Sequence, residues 1–556
     1  MLLSYAGEAQ TLSYKLGDAN GDGRVTIADV STLADVLQGK ASPAFWQESD
    51  GHQGIDIGDV ETTVSLVIGK EESTTVDARR HYAHYTIDVP AGQRTEQQAR
   101  VLQAVCYVDQ QTLPTDVLPI DQYLTRLSVR TSLRNVISVS AYAEDHAAIA
   151  GPMTLTTRGN EEPEQTYTSG QRVAYGGSQE SDVVTLYADG GDTFDLQLRP
   201  VALARGVLVT LRTSDGGIYS QHFDVQTGKE NILQFTQASS QNLWMSTLPG
   251  GTWLSMLSIP GAHDAATASV SGLLAGTARC QSLSIAELLA QGVRAFDLRP
   301  RYNSNKESDI TLDNLTIFHG PMSTGVRFVD AIDALVDFVR QHPSETVSVL
   351  MQKESASGTD FSETWRTSIR QCFTDPARRP YLLDALQGDT RLDDVRGKVC
   401  VISRTPYGAG GYYTDIVGAI FNGWADNTSV TDYSGRLYIN GNRVTCTANL
   451  QDLYNTNTDD KKTAFDAMLA YSTSNTTPSR HHFNYTSIAM GITNLSIGNA
   501  AKTMNPYAAS AIDKATGPTG FVYGDFMGSS SHSGDRLVRS IIDNNHRYAY
   551  TGMMAN

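Results

Sequence analysis

The run Ser258-Ile259-Pro260-Gly261-Ala262-His263-Asp264 decides how the chain reads: an apolar stretch that ends on a histidine and a carboxylate. Five later stretches repeat the pattern. They are Gly292-Val293-Arg294-Ala295-Phe296-Asp297-Leu298-Arg299, Ile317-Phe318-His319-Gly320-Pro321, Met351-Gln352-Lys353-Glu354, Ser403-Arg404 after Val401-Ile402, and Val522-Tyr523-Gly524-Asp525. The expected strands are 253–259, 293–298, 316–318, 346–351, 398–402 and 521–523. Between them lie helical stretches such as Phe328, Val329, Ile332, Leu335, Val336 and Val339, apolar at helical spacing and stopped by Pro343. Strand–helix alternation over this length predicts an α/β barrel, whose catalytic groups come from successive strand ends on one face.

That face would gather two His, three Asp, two Arg and a Lys. Two His, each with an Asp to fix its tautomer, make a general base and a general acid. An Arg between them holds a phosphate and neutralises developing charge. The combination suits cleavage of a phosphodiester whose own hydroxyl is the nucleophile. No G-x-S-x-G elbow and no H-E-x-x-H zinc motif is present.

The stretches 258–264 and 292–299, together with His319-Gly320-Pro321, Pro343-Ser344-Glu345-Thr346 and Arg396-Gly397-Lys398, occur in the order and spacing of bacterial phosphatidylinositol-specific phospholipase C. The segment resembles that family over nearly its whole length. The resemblance implies a distorted TIM-like β/α barrel. It implies cleavage of phosphatidylinositol, or of glycosyl-phosphatidylinositol anchors, to diacylglycerol and inositol 1,2-cyclic phosphate. It implies His263 as general base oriented by Asp525, His319 as general acid beside Asp264, and Arg299 on the phosphate supported by Asp297. Lys353, Arg404, Asp452, Tyr454, Trp424 and Asp426 resemble the residues that hold the inositol ring. Calcium-dependent members bind the ion where Asp264 and Arg299 stand here, and a guanidinium would repel it. Catalysis without a metal cofactor is therefore expected. The alternatives are a phosphodiesterase for another head group, or an idle surface protein binding lipid or glycan.

The other two segments look different. Residues 77–240 alternate in short runs such as Asn135-Val136-Ile137-Ser138-Val139-Ser140-Ala141-Tyr142 and Phe194-Asp195-Leu196-Gln197-Leu198, with turn signals at Gly190-Gly191-Asp192 and Asp215-Gly216-Gly217. This predicts a β-sandwich, loosely similar to fimbrillin-like surface domains. His81, Tyr82 and His84 read as surface residues. Residues 1–76 contain two similar stretches, each a loop followed by one helix. In the first loop Asp18, Asn20, Asp22, Arg24, Thr26 and Asp29 stand at the spacing of a twelve-residue calcium loop. The pair resembles a dockerin-type module, implying structural calcium and a cohesin-like partner. The second loop, with Glu48, Asp50, His52, Gln53 and Gly54, is degenerate. Predicted boundaries are thus 1–76, 77–240 and 241–556.

Composition bounds the rest. In 556 residues, 43 Lys+Arg against 60 Asp+Glu leave a net charge of −17, which argues against nucleic-acid binding and against charge-driven residence on an anionic membrane. No run approaches the ~18 apolar residues of a membrane span. Cys106, Cys280, Cys372, Cys400 and Cys446 form no C-x-x-C pair and read as small buried hydrophobes. Met1 to Ala6 lacks the basic and apolar regions of an intact secretory signal; a secreted or cell-surface location is expected from the domain types. The Tyr-rich loop 407–413 reads either as a rim dipping into lipid or as an ordinary surface loop.

Overall fold

The computed structural model describes residues 11–41, 47, 49, 55–79 and 125–143, short runs of 149–236, and 242–550 apart from 273–274, 305, 355–360, 410–413, 440–441, 476 and 490–496. The expectations placed on Glu48, Asp50, His52, Gln53, Gly54, His81, Tyr82, His84, Cys106 and residues 410–413 lie outside the described residues.

At the N-terminus, strands Thr11–Lys15 and Thr75–Arg79 pair antiparallel, so the module is clasped across the expected boundary at 76. Helices Ile27–Leu37 and Ile57–Val67 follow the two loops. Each starts the same way: Thr26 or Asp56 caps the helix, and Asp29 or Asp59 three residues later reaches back to the cap.

The middle segment is all β, in two main sheets. One orders Glu230–Phe235, Thr125–Thr131, Thr193–Leu198, Thr154–Arg158 and Gln165–Thr168. The other orders Ile218–Phe223, Val207–Thr213, Val136–Ala143 and Val183–Tyr187. Leu127, Val129, Val139, Leu186, Phe194, Leu196, Val209 and Leu211 fill the space between them, which is what the period-two alternation requires.

The third segment closes a barrel of nine strands: β1 (Ser258–Ala262), β2 (Ala295–Leu298), β3 (Val347–Met351), β4 (Val399–Ser403), β5 (Ala419–Ile420), β6 (Thr431–Ile439), β7 (Asn442–Gln451), β8 (Arg480–Tyr485) and β9 (Gly520–Gly524). β9 returns to β1 in parallel register, Ala262 opposite Gly524. β6 alone runs antiparallel to both neighbours, which distorts the barrel. The interior is aromatic: Phe483 stacks on Phe521 at 5.0 Å and Tyr485 on Tyr523 at 4.9 Å. Helix Phe328–Gln341 covers the outside with Phe328, Ile332, Leu335, Val336 and Val339 buried, as its spacing predicts.

Two expectations need correction. The stretch at 316–318 is not a barrel strand; Thr316–His319 belongs to a small antiparallel sheet with Pro300–Arg301 and Met322–Arg327, an excursion after β2. The first strand starts at Ser258, because 254–256 forms a 3-10 turn.

The N-terminal ends of the barrel strands carry their own charged cluster. Arg294, just before β2, donates to Glu345, just before β3, at 2.9 Å, and Glu345 also accepts from the Ser246 N–H at 3.2 Å. Arg396, just before β4, donates to the carbonyls of Met245 and Leu248 at 3.1 and 2.7 Å. Its guanidinium lies 4.7 Å from the ring of Tyr142, a sandwich residue. Thr210 of the sandwich meets Ser246 at 2.8 Å, and Arg212 pairs with Asp543. The sandwich therefore docks on the end of the barrel opposite His263.

Candidate active site

β1 and β9 lie side by side, so His263 and Asp525 leave their strands together. The His263 N–H donates to the Gly524 carbonyl at 3.0 Å, and His263 Nδ1 lies 2.8 Å from Asp525 Oδ1. Gln281, fully buried, locks this edge: its Nε2 donates to the carbonyls of His263 and Gly524, and its Oε1 accepts from the Met527 N–H. Asp264 has φ +42°, in the left-handed region that Asp tolerates better than most residues.

The Asp264 carboxylate is the hub. Oδ1 lies 3.0 Å from Arg299 Nε; Oδ2 lies 3.2 Å from His263 Nε2 and 3.5 Å from His319 Nε2. His319 Nδ1 is held by the Ala278 carbonyl at 2.8 Å. Arg299 Nη2 reaches Asp297 Oδ2 at 2.8 Å, and Glu354 stands 4.0 Å from Nη1. The two imidazole centroids are 6.3 Å apart, edge to face. All six residues expected to act chemically are thus brought together. His319 comes from the excursion hairpin and not from a barrel strand.

Charge follows from this packing. Burial works against a charged His263, but the carboxylates of Asp264 and Asp525 outweigh it and raise the imidazole to about 9. Burial likewise disfavours ionised Asp264, yet Arg299, His319 and His263 hold its carboxyl below the usual range. Arg299 is desolvated too, and Asp264 and Asp297 still hold its charge firmly.

Five of the expected ring-binding residues form one adjoining wall. Arg404, at the end of β4, stacks over Trp424 at 4.4 Å and pairs with Asp426. Trp424 Nε1 donates to Asp452 Oδ2 at 3.1 Å, and Tyr454 stands 37% exposed two residues on. Burial raises the Asp452 pKa against the pull of Arg404 and the Trp424 hydrogen bond. Lys353 points elsewhere: its Nζ donates to Ser362 at 2.7 Å and lies over Tyr302.

Sequence reasoning missed Gln281 and Lys461. Lys461 is fully buried on helix Thr458–Thr473; its Nζ donates to Gln451 Oε1 at 2.9 Å and to the Leu453 carbonyl at 2.8 Å. It fixes, from behind, the turn that carries Asp452 and Tyr454. Burial pulls its amine down to about 7 even though Asp452 and Asp525 favour the charge. The signal was present: Lys461 shares one helix face with Ala464, Phe465, Met468 and Leu469, an apolar stripe where a lysine needs a reason.

A closed β/α barrel with two imidazoles, a guanidinium and converging carboxylates at one mouth defines an acid–base barrel, the class to which sequence comparison adds a family. Residues 257–405 match the family model described as phosphatidylinositol-specific phospholipase C, X domain. The 1-phosphatidylinositol phosphodiesterase of Staphylococcus aureus (strain Newman) is 25% identical over 315 residues, 55% of this chain and 95% of the relative. The protein of that name from Listeria monocytogenes serovar 1/2a is 30% identical over 170 residues, 29% of this chain and 48% of the relative. Among solved structures, a mutant of phosphatidylinositol-specific phospholipase C from Staphylococcus aureus is 25% identical, covering 55% of this chain and 98% of that one, with a TM-score of 0.46. Over residues 257–405 the chain is thus similar to the phosphatidylinositol-specific phospholipase C X domain.

Proposed function

We propose that the protein is a phosphatidylinositol-cleaving phospholipase C that uses no metal for its chemistry. The observation that carries this reading is the hub: two imidazoles and one guanidinium converge on Asp264 at 3.0–3.5 Å. With the inositol ring against Arg404, Trp424, Asp452 and Tyr454, the 2-hydroxyl faces His263. His263 Nε2 takes its proton as the hydroxyl oxygen bonds to phosphorus. The phosphorus–glycerol oxygen bond breaks, and His319 Nε2–H protonates the departing diacylglycerol oxygen. Arg299 neutralises the charge on the non-bridging oxygens. The products are diacylglycerol and inositol 1,2-cyclic phosphate. The turn held by Lys461 and the Trp424–Asp452 bond supports an inositol head group over choline, because it offers acceptors and a flat ring face without a cation cage.

The test is incubation of the full chain with phosphatidylinositol or phosphatidylcholine micelles in excess chelator. Diacylglycerol release from the first alone supports the reading; equal release from both, or loss of activity in chelator, overturns it.

The N-terminal module reads as a calcium-holding, partner-binding unit. Asp18 and Asp29 are buried and, among the described residues, paired with no lysine or arginine; with Asn20, Asp22 and Arg24 they offer the hard oxygens calcium takes. In the structure Asp18 accepts from the Asp22 and Gly23 N–H groups, and Thr26 serves as helix cap. Ile27 and Ile57, the first residues of the two helices, stand 68% and 65% exposed at matching positions, which supports a partner surface, a cohesin-like domain being the candidate. Secretion to the cell surface fits these accessory domains.

A further inference from the structure

We propose that the barrel mouth is also an inhibitory site for a thiophilic divalent cation, zinc being the probe, with Cys280 as the residue that makes it. Ligand atoms of His263, Asp264 and Cys280 all lie within 4.8 Å of one another, the one such group among the described residues. Asp264 Oδ2 stands 3.2 Å from His263 Nε2 and 3.9 Å from Cys280 Sγ; His319, whose Nδ1 lies 3.7 Å from Cys280 Sγ, is outside the group. Tetrahedral zinc with bonds of about 2.0–2.3 Å sets its ligands roughly 3.3–3.8 Å apart, so the ion needs only small side-chain shifts.

The surroundings suit a metal as well as the spacing does. Histidines that ligate zinc almost always donate their other nitrogen to a carboxylate or a backbone carbonyl. Here Asp525 holds Nδ1 of His263, leaving its Nε2 aimed at Asp264 Oδ2. Arg299 engages the other oxygen, Oδ1, and opposes a dication; a thiolate and a carboxylate together cancel the ion's charge. Hard calcium, which takes six to eight oxygens, finds no such set here.

Binding is an exchange of protons for metal without oxidation. The Cys280 S–H and the His263 imidazolium release their protons to solvent as the Zn–S and Zn–N bonds form. Burial raises the thiol pKa well above its usual value, so Cys280 stays protonated until a metal displaces the proton. Once bound, zinc occupies the His263 Nε2 lone pair that the first proton transfer needs, and activity stops. Inhibition rests on the phospholipase reading; binding does not.

The test has two arms on the full chain. In the first, phosphatidylinositol cleavage is measured in zinc-buffered medium for the native protein and for Cys280→Ser and Cys280→Ala. Native activity should fall in micromolar free zinc and return with chelator. The variants should keep their basal rate and need roughly tenfold or more zinc for the same loss. In the second, cobalt is added to the metal-free native protein, where a thiolate-to-cobalt charge-transfer band is expected and should vanish in Cys280→Ala. Equal zinc sensitivity of native and variant proteins, or no thiolate band in the native protein, overturns the proposal. A cobalt band in a protein inactive on phosphatidylinositol would sink the phospholipase reading and leave the site standing.

Discussion

Strand β2 is four residues long and has an arginine just beyond each end, Arg294 and Arg299, which live in opposite worlds. Arg294 is fully buried, held by one carboxylate and by backbone carbonyls, and burial lowers its pKa although Glu345 opposes it. Arg299 is 15% exposed, faces Asp264, Asp297 and Glu354, and keeps guanidinium donors at a mouth also lined by two histidines. Both ends are charged and buried, yet one arginine ends on Glu345 and backbone carbonyls and the other on carboxylates shared with two imidazoles. The lesson is that a buried arginine-carboxylate pair points to chemistry where the carboxylate is shared with titratable groups, as Asp264 is with two imidazoles. An arginine whose donors end on one carboxylate and on backbone carbonyls clamps one piece of chain to another.

The largest effects should separate the two ends cleanly. His263→Ala or His319→Ala is expected to lower turnover by about 10²–10⁴-fold in protein that still folds. Arg294→Met leaves Glu345 buried without its cation. It should cost about 3–5 kcal/mol of stability, measured by denaturant unfolding, while the folded fraction keeps its activity. If the two variants exchanged phenotypes, the comparison would fail.

A smaller effect sharpens the role of the carboxylates around His263. The free-enzyme base governs the rising limb of kcat/KM, so with His263 raised to about 9 the rate should climb with pH on the alkaline side of 6.5. Asp525→Asn removes one of the charges that raise it and should move the limb to lower pH as well as lowering the plateau. The linked stability has the matching sign: it is full below about 6.5 and is lost as pH rises through 9. A limb that does not move on Asp525→Asn contradicts the assignment of Asp525.

Next comes the wall behind the substrate ring. Lys461→Met removes two buried hydrogen bonds, each worth about 1–3 kcal/mol when a partner is left unsatisfied. KM for phosphatidylinositol should rise roughly fivefold or more with kcat nearly kept; a fall in kcat alone would place Lys461 in the chemistry instead. The smallest effect on activity belongs to calcium. A chelator should lower the thermal stability of the N-terminal module and leave the phospholipase rate unchanged, and an unchanged melting profile would count against calcium there.

How much of this was legible in the sequence depends on how each strand is built. β1, β3 and β4 are apolar runs that end on polar residues, and they showed plainly. β8 reads Arg480-His481-His482-Phe483-Asn484-Tyr485, and β6 begins Thr431-Asp432-Tyr433-Ser434; neither has an apolar run, so these two of the nine barrel strands were invisible to patterning. Some of their polar side chains bond to a neighbouring strand, such as Asn484 to Gln451 Nε2 at 2.7 Å, a pairing distant in sequence that no local rule reveals. His319 was found for the right chemistry and placed on the wrong kind of element. The motifs at Pro343-Ser344-Glu345-Thr346 and Arg396-Gly397-Lys398 carried the family resemblance, yet they sit at the clamped end of the barrel and touch no part of the site. Cys280 lies 3.7 Å from His319 Nδ1 across 39 residues of sequence, a distance only the fold creates.

The most direct test of the account is phosphorus NMR of phosphatidylinositol micelles treated with the full chain in excess chelator. The account predicts a cyclic phosphodiester signal that grows with the native protein and is absent with His263→Ala. A linear inositol phosphate as the first product, or a cyclic signal undiminished in the variant, would contradict it.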